Sequence, residues 1–273
     1  MIASAMAMLR LTLAGTLLSL FATAAPAQPR AVPAWQVDWG DQYCTLIRRP
    51  DPRTPFVIAM RSLPGNDYSE ILLMDDGPTQ MPERPDAIVL APSGRAFAVS
   101  AEAEMRPNGA RVVTLSQLPP DFWEALAGAQ AIQFRENGRV VRQVGLAETP
   151  AAVRALRSCA SDALRQWGVD EAALNALRRR PFTTNGFGLT LADYPPDALR
   201  EHWQGRVVVR LNVSADGRAT ACAPVATSNH PAFDAAACRA VLDRGRFTPA
   251  LDAAGQPVAA QIVTSVTFLP PRV

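Results

Sequence analysis

Apolar and polar residues alternate in short runs over most of residues 31–180. The runs PFVIAM, YSEILLM, DAIVLA, RAFAVSA and RVVTLSQL are separated by turn-forming stretches, which is typical of short strands. A short helix, PPDFWEALAGA, precedes a hairpin that turns at Asn137 and Gly138. From Thr149 the apolar residues recur with helical spacing. We therefore expect residues 31–180 to form a mostly antiparallel β domain closed by helices.

Residues 191–270 follow a different order, with a helix, a hairpin, a second helix and a final strand. In GRVVVRLNV the odd-numbered residues from 207 to 213 are apolar, and the opposite face carries Arg206, Arg210 and Asn212. This alternation predicts one face in the core and one face in water. We expect an α+β protein in which a linker, residues 181–190, leads to a three-stranded antiparallel sheet with helices on one face.

The first 30 residues have the form of a secretory signal peptide. A short segment ending in Arg10 is followed by an apolar run and then by small residues ending in APA, so cleavage is expected after Ala27. The apolar run is shorter than the ~20 residues that a spanning helix needs. A mature periplasmic protein is therefore expected, and an uncleaved inner-membrane anchor is the alternative.

Four cysteines, Cys44, Cys159, Cys222 and Cys238, suit an oxidising compartment. None forms a CxxC motif and the chain has two histidines, so we expect no metal site. A bridge between Cys44 and Cys159 would tie the first strand of the N-terminal domain to its last long helix, and two buried free thiols are the alternative.

Charge and motifs exclude several classes of function. The 27 basic and 25 acidic side chains leave a net charge of +2, too small a surplus for a nucleic-acid partner. No phosphate-binding glycine loop or dinucleotide motif occurs, so no small-molecule cofactor is expected. Ser228, His230 and Asp234 lie together at a predicted helix start, where capping explains them better than a catalytic triad. The chain is not expected to be an enzyme, although a site in the N-terminal half remains an alternative.

Motifs in the C-terminal region occur in an order known from one family. They are Tyr194, Pro195 and Ala198, then Gly205, Val207 and Val209, then Asp216, Gly217 and Arg218, then Ser228, Phe233, Asp234 and Ala236, then Arg246, Phe247, Pro249 and Ala250, and finally Gly255, Pro257, Val266 and Phe268. In this respect residues from about 190 to 270 resemble the C-terminal domain of the TonB family. The N-terminal half carries no such resemblance.

The resemblance implies a peptide-binding role. Domains of this family bind the TonB box, a short segment of outer-membrane transporters, as a strand added beside their last strand. By position the binding edge here spans about residues 264–269, including Thr264, Val266 and Phe268, and Tyr194 and Pro195 shape the approach. The expected partner is a TonB-box-like peptide or another envelope protein, and a blocked edge is the alternative.

The resemblance also places Cys222 on a sheet strand and Cys238 on the helix that covers it, so a disulfide between them is expected. Two features depart from the energy transducers of the family. No histidine precedes His202, and a globular half replaces the long proline-rich spacer. We therefore expect an interaction module, with a membrane-anchored energy transducer for outer-membrane transport as the alternative.

Overall fold

The computed structural model describes residues 35–51, 53–75, 81–106, 108–183, 187, 189–228 and 230–270. The predicted signal peptide, residues 1–27, lies outside these ranges. In the parts of the chain that are described, no helix has both the length and the apolar character needed to cross a membrane. The fold is α+β, which confirms the predicted class.

Within the described part of the N-terminal half, ten strands make up two antiparallel sheets. They are β1 (Gln36–Trp39), β2 (Cys44–Arg48), β3 (Val57–Ser62), β4 (Ser69–Asp75), β5 (Ala87–Ala91), β6 (Arg95–Ala98), β7 (Ser100–Met105), β8 (Arg111–Ser116), β9 (Ala131–Glu136) and β10 (Arg139–Gly145). The larger sheet has the order β1-β2-β3-β4-β8-β7 and the smaller one β10-β9-β5-β6. The consecutive apolar residues Val57–Met60 of β3 and Ile71–Leu73 of β4 are buried on both faces of the sheet, as their uninterrupted apolar runs predict.

Both sheets contribute alternate residues to one hydrophobic core. Ile58 and Met60 of β3, Ile88 and Leu90 of β5, and Phe134 of β9 are all fully buried in it. Successive residues of a strand point to opposite faces, so the two-residue period seen in the sequence selects these side chains for the core. The predicted β-rich character of this half is confirmed.

The helices that follow or interrupt these strands in the described residues are α1 (Phe122–Ala127), α2 (Thr149–Gln166) and α3 (Glu171–Ala176). Helix α2 places Val153 and Leu156 in the same core and so covers it. Cys159 of α2 forms a disulfide with Cys44 of β2, with 5.9 Å between their Cα atoms. The predicted bridge between the two ends of this half is therefore confirmed.

The C-terminal region forms a separate three-stranded sheet. Its elements are a 3₁₀ turn (Leu191–Asp193), α4 (Pro196–Arg200), β11 (Gly205–Val213), β12 (Ala219–Ala226), α5 (Pro231–Arg244), β13 (Ala250–Leu251), β14 (Pro257–Val258) and β15 (Ala260–Phe268). The sheet has the order β12-β11-β15, and β13 pairs with β14. Helix α5 packs on β11 and β12.

One face of this sheet packs against helix α5. Val207, Val209 and Leu211 of β11 are fully buried against apolar residues of α5, among them Phe233 and Val241. A disulfide between Cys222 of β12 and Cys238 of α5, with 5.5 Å between their Cα atoms, joins the sheet to the helix. This bridge also confirms the prediction.

The opposite face of the sheet is buried at its centre and partly buried around it, so the prediction that this face lies in water was wrong there. Val208 and Val263 are fully buried in a cluster with Leu63, Leu164 and Trp167 of the N-terminal half. The N-terminal half covers the second face as α5 covers the first, because the apolar run Val207–Val209 offers side chains to both sides.

The charged residues of that face serve the same packing. The Arg210 guanidinium donates hydrogen bonds of 2.8 Å to the backbone oxygens of Trp167 and Gly168, at the C-terminal end of α2. Carbonyl oxygens at a helix end lack partners within the helix, so a cation is favourable there. Arg206 is also partly buried in the contact with the N-terminal half, whereas Asn212, near the C-terminal end of β11, is exposed.

Candidate functional site

The last strand, β15, lies at an edge of the C-terminal sheet. It pairs with β11 along its whole length, from Ala260 opposite Val213 to Phe268 opposite Gly205. Within the described ranges, no strand pairs with its second side. The second side therefore presents backbone groups of the kind that an added strand can bind.

The direction of these backbone groups follows from one contact. The side-chain amide of Asn66, in the β3–β4 loop, donates to the Val263 backbone oxygen at 2.7 Å, so this oxygen points away from β11. In an antiparallel pair the backbone groups of every second residue point to the same side. The N–H and C=O groups of Ser265 and Thr267 therefore face the open side, and those of the residues between them face β11.

A cavity of about 400 Å³ lies beside this open side. Thr264, Ser265 and Thr267 form part of its wall, the β3–β4 loop forms another part, and residues 180–183 a third. The loop belongs to the N-terminal half, so the open side of β15 is flanked by residues from outside the C-terminal domain. Residues 184–186 and 188 of the predicted linker lie outside the described residues.

Three charged side chains line the cavity: Asp67, Arg180 and Arg206. Asp67 and Arg180 form an ion pair, with 3.1 Å between Oδ1 and Nη1. Arg206 instead donates to the hydroxyl of Tyr43, and its guanidinium carbon lies 5.3 Å from the centre of the Tyr43 ring. Among the residues that the structure describes, no carboxylate lies within ion-pair distance of Arg206.

A second group of polar residues, Arg61, Tyr68 and Glu70, lies close to Tyr43. The buried carboxylate of Glu70 accepts hydrogen bonds from Arg61 and from the Tyr68 hydroxyl. Burial, and then the hydrogen bond to Glu70, raise the pKa of Tyr68, so this hydroxyl stays protonated at neutral pH. The Arg61 guanidinium carbon lies 4.7 Å from the centre of the Tyr43 ring. Tyr43 thus contacts two guanidinium groups, of which Arg61 already has a carboxylate partner.

The predicted site residues divide into two groups. Thr264 lines the cavity. Val266 and Phe268 are buried on the α5 side of the sheet, so their side chains pack in the domain core. Tyr194 is also buried, with its ring perpendicular to that of Phe268, and Pro195 is buried just before α4. Neither Tyr194 nor Pro195 is among the described residues that line the cavity, and their part in the approach of a peptide stays a prediction.

Ser265 and Thr267 lie within the predicted edge, residues 264–269, but the residues singled out there were Thr264, Val266 and Phe268, and Asn66 and Arg206 were not predicted as part of the site. Ser265 and Thr267 carry the outward backbone groups, Asn66 binds the carbonyl at one end, and Arg206 supplies the uncompensated charge. A signal for the first two was present, since two polar residues alternate with apolar ones in TSVTF. No local signal pointed to Asn66, because 197 positions separate it from Val263.

The residues considered as a triad lie at the start of α5, with Asp234 in its first turn. The predicted capping by Ser228 is wrong, because His230 occupies the N-cap position and no side chain among the described residues caps the helix. The Ser228 hydroxyl oxygen accepts a hydrogen bond of 3.3 Å from the His230 backbone N–H. The His230 ring stacks on Trp203, with 4.5 Å between ring centres. No group of three or more His, Cys, Asp or Glu side chains in the described part of the chain is placed to hold a metal ion.

Comparison with known protein families gives a match for the C-terminal region. Residues 191–270 match the family described as Gram-negative bacterial TonB protein C-terminal, which confirms the resemblance seen in the sequence. The N-terminal half matches no family, and no curated protein is similar to the chain. The match supports a TonB-like protein interaction module of the bacterial envelope at residues 191–270, and the two disulfides fit an exported protein.

Proposed function

We propose that the protein is exported to the periplasm, with cleavage after Ala27, and binds a peptide segment of another envelope protein. The segment, which resembles a TonB box, is added as a strand to the open side of β15. The observation that carries this proposal is the unpaired edge at Ser265 and Thr267, beside a cavity of about 400 Å³. The role proposed is binding without catalysis.

Backbone pairing limits the affinity of such a complex. Ser265 and Thr267 offer two donors and two acceptors, and each hydrogen bond contributes about 0.5–1.5 kcal/mol net. Four such bonds amount to about 2–6 kcal/mol, which corresponds to a dissociation constant no tighter than tens of micromolar. Peptide side chains that enter the cavity must supply further affinity, and they also provide selectivity.

A proline at position 265 tests the proposal directly. The Ser265 N–H faces the open side, so Ser265→Pro removes a donor needed by an added strand while sparing the hydrogen bonds to β11. Ser265→Ala is the matched control because it removes the hydroxyl and keeps the N–H.

The probes are a TonB-box peptide and a displayed library of random ten-residue peptides, tested with the full chain. We expect peptides bound by the wild type and by Ser265→Ala to bind Ser265→Pro about 2- to 13-fold more weakly, as the loss of one hydrogen bond predicts. Peptides that bind all three forms equally, or no bound peptide at all, would contradict strand addition. N-terminal sequencing of the mature protein tests export separately, and a start at Gln28 is the expected result.

A further inference from the structure

We propose that the cavity beside β15 selects peptides that carry a carboxylate, which pairs with the guanidinium of Arg206. The N-terminal half is then part of the recognition site, because it holds Arg206 in place. This inference rests on the strand addition proposed above and adds the chemistry of the partner.

Arg206 is placed to reach an added strand. It lies opposite Thr267 across the β11–β15 pair, and residues directly opposite one another project from the same face of a sheet. A strand added beside β15 would lie a further ~4.8 Å away, so its residue opposite Thr267 would be about 10 Å from the Arg206 backbone. An arginine and a glutamate side chain together span this distance.

The charges at the cavity favour an acidic partner. The charges of Asp67 and Arg180 are neutralised by their ion pair. The charges of Glu70 and Arg61, which do not line the cavity, are neutralised in the same way. Tyr68 contributes no negative charge at neutral pH, since a tyrosine hydroxyl is protonated there and burial and the hydrogen bond to Glu70 raise its pKa further. Asp38 and Asp41 line a neighbouring cavity together with Arg206, but neither is within ion-pair distance of its guanidinium. Arg206 can therefore pair with a carboxylate of the peptide, through two parallel hydrogen bonds.

The N-terminal half fixes Arg206 at two points. The Gln42 side-chain amide donates to the Arg206 backbone oxygen at 2.9 Å. The Tyr43 hydroxyl accepts from the Arg206 guanidinium, and the Tyr43 ring lies beside it. A guanidinium held in this way loses less conformational freedom when it binds a carboxylate, which makes the ion pair more favourable than one between two mobile surface side chains.

Selection of peptides against two charge variants tests the inference. Arg206→Gln removes the charge at the cavity, and Arg239→Gln is the control because Arg239 is exposed on α5 and does not line the cavity. The library of random ten-residue peptides is selected against the full chain in each form. For one selected acidic peptide, matched versions with Glu and with Gln are then titrated.

We expect the wild type and Arg239→Gln to enrich peptides with Asp or Glu at one position and to bind the Glu version at least tenfold more tightly. Arg206→Gln should bind both versions equally. Selected peptides without an acidic preference, or a preference that persists in Arg206→Gln, would overturn the inference while dependence on the Ser265 N–H still supports strand addition. Failure to select any peptide would overturn both.

Circular dichroism shows whether Arg206→Gln retains the fold. If Arg206→Gln does not fold, the pairing is tested by comparing the affinities of the wild type for the Glu and Gln versions of the peptide. Equal affinity for the Glu and Gln versions would then refute pairing with Arg206, and a tenfold preference for Glu that weakens in high salt would support it.

Discussion

The two disulfides should differ in their contribution to stability, because they close loops of very different length. Cys44 and Cys159 are 115 positions apart, and Cys222 and Cys238 are 16 apart. Loop-closure entropy in the unfolded chain gives about 5 kcal/mol for the first bridge and about 3 kcal/mol for the second. Burial also favours a larger contribution to stability from the first bridge, since Cys44 and Cys159 are almost fully buried and Cys222 and Cys238 are partly exposed.

Paired alanine variants measure this difference. We expect Cys44→Ala with Cys159→Ala to lower the free energy of unfolding by up to ~5 kcal/mol, a large share of the ~5–15 kcal/mol typical of a domain. Cys222→Ala with Cys238→Ala should cost about 2 kcal/mol less. Urea unfolding of the full chain at 25 °C, followed by far-ultraviolet circular dichroism, gives both values. An equal or larger loss for the second pair would refute the entropy argument for this protein.

Two further substitutions test the C-terminal sheet and its contact with the N-terminal half. Gly217 has a φ of +82°, and a Cβ there would overlap the Phe247 backbone oxygen, so Gly217→Ala should cost more than ~2 kcal/mol in thermal unfolding. Gly94→Ala is the control, with a φ of +71° and open space around the added methyl, and a loss as large as that of Gly217→Ala would exclude the overlap as the cause. Arg210→Ala should cost about 1.5–3 kcal/mol in urea unfolding, because it removes two charge-assisted hydrogen bonds to the end of α2. A loss no greater than that of Arg239→Ala, a change at an exposed arginine, would contradict this role.

Much of the fold could be predicted from local patterns. Alternation identified the strands that supply Ile58, Ile88 and Phe134 to the core, since the side-chain period of a strand is fixed by its geometry. The bridge between Cys44 and Cys159 was predicted because it ties the start of the N-terminal half to its last long helix, and the bridge between Cys222 and Cys238 was predicted from the positions that the family resemblance implies. The motif order at residues 191–270 was enough to identify the C-terminal family.

The surroundings of β11 were harder to read. From the sequence alone, the even-numbered face of β11 was expected to be exposed to water, because Arg206, Arg210 and Asn212 lie on it. Val208 lies on the same face, however, and is fully buried. Three consecutive valines are typical of a strand that is buried on both sides, and this signal was available. The arginines were compatible with burial because their charged groups reach hydrogen-bond acceptors in the N-terminal half.

The sequence by itself determined most of the strands and helices and the family resemblance of the C-terminal domain, because these depend on short-range periodicity and on motif order. Only the tertiary structure decided which backbone groups of β15 are open and what lies beside them. That outcome depends on contacts such as the one from Asn66 to Val263, between residues 197 positions apart. No local pattern encodes such a contact, because it forms only when the packed cores of both halves fix the position of the β3–β4 loop.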